Sequence, residues 1–412
     1  MAFDNRDIKP RKKSYYPFSK NYPGRRSGTS YAIGESRTRK KKEKRKKIVF
    51  SVFLVFFFVL VFVIAAVSIN LSKKPYEHEL TGVPAEYDGK LRALYMPDDV
   101  LDGGIAFDLF KTELTETKAN AVVIDFKTKD GYLNYVSSVG TANDIGASSK
   151  AYQNALATID RLKSAGYKII ARIYCYEDSV AASHLGAAAA VTNSDGTLWL
   201  DNSAQHDGEP WLNPYSPVAE KYLLSIVSEI SSLGVDAVIL DSVEFPESIY
   251  LDKAVFSGEE KSIESRNAVL HSFIEKVKNV LGDKPLCVML SAADALGGNT
   301  ARYDGSLFDS AADFVAVDFR KSAQRDGFAY GEKTYSAETT DEKALVTDCI
   351  PLLSSKLDEN YQTGGFIPVI DDRSIISGLD SRNVNNYVLF GEGEAIILKI
   401  LDKSSFFCYY RT

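Results

Sequence analysis

Histidine, tryptophan, methionine and cysteine are scarce in this chain of 412 residues, with four, two, three and four copies. The histidines, His78, His184, His206 and His271, form no H-x-x-x-H pair, which argues against the usual helical zinc site and a histidine-based triad. No G-x-S-x-G elbow, phosphate-binding P-loop or aspartate-rich calcium loop of the EF-hand type is present. No cysteine spacing suggests a CxxC zinc site or a disulfide framework. Cys175 and Cys287 lie in the apolar runs RIYCY and LCVML, where a thiol acts as a small hydrophobe, so free buried thiols are expected and one bridge stays open. These absences imply no cofactor and no metal, although a carboxylate-only cation site around Asp371 and Asp372 also stays open.

What the chain has is charge, divided unevenly. Residues 1–47 hold 17 Lys/Arg against 4 Asp/Glu, and the remainder carries 32 against 51. Between the basic tail and the acidic body lies IVFSVFLVFFFVLVFVIAAVSINLS, residues 48–72, uncharged and long enough to cross a hydrocarbon core of roughly 30 Å. The KKKEKRKK before it, Lys40 to Lys47, orients the N-terminus to the cytoplasm by the positive-inside rule. A single-pass cell-membrane protein is therefore expected, with a disordered basic tail (1–47), a transmembrane helix (48–72), a linker (73–90) and an extracytoplasmic domain (91–412). A cleaved signal peptide would have a shorter apolar region. The tail reads as an orientation signal that also attracts anionic lipid, and nucleic acid is not expected as a partner. Nothing in the chain fixes an oligomeric state.

From Leu91 onward strand-like apolar runs alternate with helix-like segments. The runs are 91–96, 121–126, 168–176, 236–241, 285–291, 314–319, 366–370 and 395–400, with amphipathic segments at 105–118, 150–165, 217–233, 261–281 and 342–360. Eight strands in this alternation predict an α/β fold, a (β/α)8 TIM-like barrel. A doubly wound open sheet competes, but no G-x-G-x-x-G follows the first strand and acids recur at many strand ends.

Those acids are the functional signal. Asp125, Glu177 and Asp178, Asp241, Asp318, and Asp371 and Asp372 all fall at strand ends, where a barrel brings them to one mouth. Paired carboxylates are the equipment of glycoside hydrolysis, one as acid and one as nucleophile or base. Asp241 shares inward parity with Ala237 and Ile239 and is the preferred nucleophile or base, with a helix-capping or turn role as the alternative. Glu244 or Asp371 would be the acid, and a surface salt bridge is the other reading of Glu244. Asp125 and Lys127 share parity and are expected either to orient a substrate hydroxyl or to neutralise each other. Glu177 and Asp178 are substrate contacts or helix caps, and Arg172 is placed to balance carboxylates inside the barrel. The long segment after the third strand carries both tryptophans, Trp199 and Trp211, which could stack on sugar faces or close a small core of the loop.

Four segments resemble the putative glycosyl hydrolase domain family, amylase-like barrels: VVIDFKTKDGYLNY (122–135), ARIYCYEDSVA (171–181), the loop with DGTLWLDN and WLNPYSP, and GVDAVILDSVEFP (234–246). The resemblance places Asp125, Lys127, Asp178, Trp211, Asn213 and Asp241 on family motif positions. It implies a barrel with a sugar-facing mouth, a polysaccharide or oligosaccharide partner, and Asp241 where amylase-like enzymes keep the strand-four nucleophile. Departures are Glu244 in place of an arginine, Glu177 in place of a lysine, and Ser291-Ala292-Ala293 where those enzymes hold a glutamate. Hydrolysis of an envelope polysaccharide is the expected function, and an inactive barrel that binds glycan or scaffolds an envelope complex is its rival.

Overall fold

A computed structural model describes residues 42, 44–60, 89–258, 266–297, 302–324, 328–330, 333–335, 341–357, 365–382 and 384–391. The chain divides into two compact units, Met1–Ser68 and Ile69–Thr412. In the first, residues 44–60 are helical with exposed side chains, so 44–47, expected in the disordered tail, belong to this helix. No helix among the described residues is long and apolar enough to cross a membrane. Residues 61–72 of the expected span, and most of the expected tail and linker, lie outside the described residues.

The second unit holds a closed barrel of eight parallel strands. These are β1 (Arg92–Met96), β2 (Ala121–Lys127), β3 (Lys168–Tyr174), β4 (Ala237–Asp241), β5 (Leu286–Ser291), β6 (Phe314–Asp318), β9 (Phe366–Ile370) and β10 (Tyr387–Leu389). A two-stranded hairpin, β7 (Phe328–Tyr330) and β8 (Lys333–Tyr335), interrupts the series. Strands covered on both faces need no polar alternation, which is why β2 reads AVVIDFK and is buried at every position.

Helices α1 (Gly104–Thr117), α2 (Ala155–Ser164), α3 (Ser179–Leu185), α4 (Pro217–Ser232), α5 (Arg266–Leu281), α6 (Ala292–Leu296) and α7 (Glu342–Leu357) fill the connections. The start of α4 is written into the sequence. Ser216 Oγ accepts from the amides of Val218 and Ala219, and Pro217 occupies the first turn, where its missing N–H costs nothing. Two apolar layers result: an inner one from side chains such as Ala121, Val123, Ile170, Ile239 and Val369, and a larger outer one between strands and helices.

The closing strand differs from expectation. AIILKI at 395–400 lies outside the described residues, and Tyr387–Leu389 pairs with both β1 and β9 instead. Three residues give too little sequence for a period to show, and the flanking asparagines disguise them. One of these helps the seam: Asn386 Oδ1 accepts the Leu91 amide at 2.8 Å. Cys175, Cys287 and Cys349 are buried free thiols, and Cys408 lies outside the described residues.

Candidate functional site

Side chains of a strand alternate in direction, so the inward row of each barrel strand ends in one residue at the mouth. Continuing the buried inner layer upward gives Tyr95, Asp125, Arg172, Asp241, Ser291 and Asp318 within their strands, and Asp371 and Phe390 one residue past β9 and β10. All eight line a single cavity of about 1010 Å³. Glu177, Ser242, Glu244, Lys129, Arg302 and Arg320 join them from the loops.

One wall is organised by Arg172, buried to within 4% of its side-chain surface. Its Nε donates to Asp241 Oδ2 at 2.9 Å, and its terminal nitrogens reach Asp241 at 2.8 Å and Asp125 at 3.3 Å. The guanidinium also donates to the Tyr174 hydroxyl and lies over the rings of Tyr174 (4.4 Å) and Phe390 (5.1 Å). Burial opposes its charge, yet Asp125, Tyr174 and Asp241 outweigh burial and hold its pKa above the usual arginine value. Tyr95 Oη donates to Asp125 Oδ2 at 3.0 Å, and burial pushes the Asp125 carboxyl up against the pull of Arg172.

Immediately after Asp241 the backbone turns sharply. Ser242 has φ 51°, a left-handed conformation that costs a non-glycine residue about 1–3 kcal/mol. The turn lets the Ser242 amide donate to Asp241 Oδ1 at 2.7 Å while its hydroxyl donates to Glu177 Oε2 at 3.2 Å. Lys129 holds the other Glu177 oxygen at 2.8 Å.

A second cluster is centred on Arg302, which meets Glu244 at 3.3 Å, Asp294 at 3.4 Å and Glu247 at 3.2 Å. Tyr303 Oη donates to Glu244 at 3.1 Å. Burial pushes the Glu244 carboxyl up to about 7; Arg302 opposes the rise, and Asp294, Glu177 and Asp241 add to it. On the β6 and β9 side Arg320 grips Asp318 through two nitrogens at 2.9 and 2.6 Å and covers the Phe390 ring at 3.8 Å. Burial raises the Asp371 carboxyl to about 6. Its backbone amide and that of Asp372 donate to Glu342 of α7 at 2.7 and 3.1 Å.

Six of the expected site residues do not line the cavity. Lys127 fails to share the direction of Asp125 because the β2–β3 register shifts between them, and the ammonium instead meets Asp178 at 2.8 Å with both side chains fully buried. Asp178 caps α3 by accepting the Ala181 amide. Gly131 packs on that carboxylate so closely that a Cβ would fall 1.9 Å from Asp178 Oδ1. Trp199 and Trp211 are buried in the loop after β3, their indole N–H groups donating to the Tyr250 carbonyl and to Asp201, so the small-core reading holds for both. Asn213 ties the same loop to the Ser257 carbonyl. Asp372 caps the turn at Arg373–Ile375 through the Ser374 amide and hydroxyl.

Sequence reasoning overlooked Tyr95, Tyr174, Phe390, Arg302 and Arg320. The first three follow from extending strand parity by one step, but Arg302 and Arg320 sit on loops for which the sequence offers no such rule. Among the described residues no group of His, Cys, Asp and Glu side chains is arranged to hold a metal ion.

This carboxylate-rich mouth on a parallel barrel agrees with a family match. Residues 93–305, half of the chain, match the family described as "Putative glycosyl hydrolase domain". The chain belongs to that family. The glycosyl hydrolase-like domain thus covers β1 through β5 and the Arg302 cluster, and its family implies a carbohydrate ligand. Among solved structures, a hypothetical protein from Ruminiclostridium thermocellum is 24% identical over 48% of this chain and 95% of its own, with a TM-score of 0.40. The glycoside hydrolase domain of PelA from Pseudomonas aeruginosa is 13% identical over 73% and 94%, with a TM-score of 0.37. Alpha-L-fucosidase isoenzyme 2 from Paenibacillus thiaminolyticus is 10% identical over 73% and 46%, with a TM-score of 0.47. No curated protein matches the chain.

Proposed function

We propose that this protein is a membrane-anchored, extracytoplasmic glycoside hydrolase that cleaves an envelope or related polysaccharide. The observation that carries the reading is a pair of unlike carboxyls in one cavity: Asp241, which accepts hydrogen bonds from Arg172 and the Ser242 amide, and Glu244, raised to about 7 by burial. Below about pH 7 Glu244 holds a proton and donates it to the glycosidic oxygen as the C–O bond breaks. Asp241 acts on the other side, attacking the anomeric carbon or taking a proton from water that does so. Asp371, raised to about 6, is the second candidate for the acid. Tyr95, Asp125, Asp318 and Glu177 line the same cavity as groups for sugar hydroxyls.

Measuring reducing ends released from a panel of envelope and plant polysaccharides by the detergent-solubilised full chain tests the reading. Asp241→Asn lowers release on the order of a thousandfold if the carboxylate reacts. Release unchanged by that substitution removes Asp241 from the mechanism.

One observation favours the binding-only alternative: β5 delivers Ser291 rather than an acid to the mouth, and Asp294 is turned aside to Ser291 and Arg302. Glycan retained without any release would establish it. For the anchor, support comes from the sequence 48–72 and from the exposed apolar side chains of helical residues 48–60, such as Phe53, Phe56 and Phe58. Alkali-resistant pelleting with membranes, and protection of the N-terminus from external protease, are the expected results.

A further inference from the structure

We propose that Tyr303 is the positioning residue of the acid. With Arg302 it fills Glu244 Oε2 and so confines the proton to Oε1, the oxygen left for the sugar; this rests on the reading of Glu244 as the general acid. Tyr303 Oη donates to Oε2 at 3.1 Å and Arg302 Nη1 donates to the same atom at 3.3 Å, whereas no hydrogen bond reaches Oε1 among the described residues. A protonated carboxyl has one hydroxyl and one carbonyl oxygen, and the carbonyl oxygen, with two lone pairs, is the one suited to accept two donors. The proton therefore sits on Oε1.

The two donors are unequal. Arg302 Nη1 is divided between Glu244 and Asp294, at 3.3 and 3.4 Å, and its Nε serves Glu247 at 3.2 Å. Tyr303 Oη is committed to Glu244, and burial, with Glu244 and Asp294 nearby, pushes this hydroxyl well above the usual tyrosine value, so it stays a donor. The segment that carries it is fastened on both sides. The Phe245 amide, next to Glu244, donates to the Arg302 carbonyl at 3.4 Å, and Asp304 accepts the Arg266 and Asn267 amides at the start of α5. Tyr303 is buried and does not line the cavity, so it reaches Glu244 from behind without competing for the sugar. As the O–H bond at Oε1 breaks toward the glycosidic oxygen, its electron pair stays on Glu244. The bonds from Tyr303 and Arg302 to Oε2 then become charge-assisted and strengthen. Tyr303 thus sets the strength of the acid as well as its direction, while Arg302, Asp294, Glu177 and Asp241 supply the charges around it.

The first test needs no glycan. Infrared difference spectra of the detergent-solubilised full chain, taken from about pH 5 to about pH 9, contain the carbonyl stretch of protonated Glu244, identified as the band that Glu244→Gln removes. A carbonyl that accepts hydrogen bonds absorbs at lower wavenumber. Tyr303→Phe is expected to move the band to higher wavenumber and to raise its titration midpoint by roughly 0.5–1 unit, because losing a donor disfavours the charged form. Replacing Tyr303 by meta-fluorotyrosine, a stronger donor of nearly the same shape, is the second variant if the first does not fold, and it moves both quantities the other way. A band and a midpoint that neither variant shifts overturn the proposal. On any glycan that the chain cleaves, Tyr303→Phe lowers kcat about tenfold with KM unchanged and carries the alkaline limb of the kcat/KM profile upward with the midpoint. A loss of activity with that limb unmoved would mean a merely structural role and overturns the proposal. Cleavage that Glu244→Gln abolishes and Tyr303→Phe leaves unaltered keeps the hydrolase reading and overturns this one. Shifts of band and midpoint without cleavage of any glycan uphold the proton's place on Oε1 and overturn the hydrolase reading.

Discussion

The Arg172 and Arg302 walls of the cavity use the same ingredients and reach different ends. Arg172 serves two lining carboxylates at 2.8 to 3.3 Å and is packed against two aromatic rings. Arg302 serves three carboxylates at 3.2 to 3.4 Å, with Asp294 almost wholly enclosed. One guanidinium against three acids leaves a larger deficit than one against two. Where the deficit is larger, burial prevails and Glu244 rises to about 7. Burial raises a carboxyl on each wall, Asp125 beside Arg172 and Glu244 beside Arg302, and the charges around each set how far it rises.

Removing the two cations is the strongest way to break this contrast. Arg172→Met strands Asp125 and Asp241 in a buried wall and is expected to cost about 3–5 kcal/mol, read from denaturant midpoints. Arg302→Met should cost less at pH 5 than at pH 8, because the carboxyls it releases can take up protons. Equal losses at both pH values would show that Arg302 acts by packing alone. Lys127→Met, which leaves Asp178 buried without its ammonium, falls in the same range as Arg172→Met and tests whether a pair outside the cavity matters as much as one within it.

Proton uptake sharpens the comparison further. Glu244 has a native pKa of about 7, above the unfolded glutamate value of about 4.3, so the native state binds more protons between these limits. Stability must therefore fall as pH rises through that window. Glu244→Gln should flatten the decline between pH 5 and pH 8, whereas an unaltered slope would assign it to Asp98, Asp371 or Glu342, which burial also raises. The smallest effect belongs to the loop core. Trp199→Phe deletes one N–H···O bond to Tyr250 and should cost about 1 kcal/mol without altering glycan binding.

Much of the barrel was legible because period two and period 3.6 are both strong in this sequence. Seven of the eight barrel strands fall on the expected runs, and the inward parity of Asp241 with Ala237 and Ile239 extends to Asp125, Asp318 and Asp371. Parity failed at Lys127, where a register shift intervenes and no residue in IDFKTKDG announces it. For Trp199 and Trp211 two readings stayed open, because an indole in a long loop looks the same in sequence whether it faces sugar or the loop's own interior. Arg302 was hidden for a different reason: it reaches Glu244 across 58 residues, from a loop after α6, and only the closed barrel brings them together.

The three-residue strand β10 gives the molecule a direction in time. Its partner β1 precedes it by 295 residues, as the Arg92 and Tyr387 pairing shows. A chain leaving the ribosome therefore carries β1 and β9 as open sheet edges until Tyr387–Leu389 emerges, and open edges invite pairing with other chains. Phe390, one residue past that strand, is the last member of the mouth to be synthesised. The mouth is complete only once the seam has closed, so a sugar that contacts Phe390 would favour finished molecules over incomplete ones.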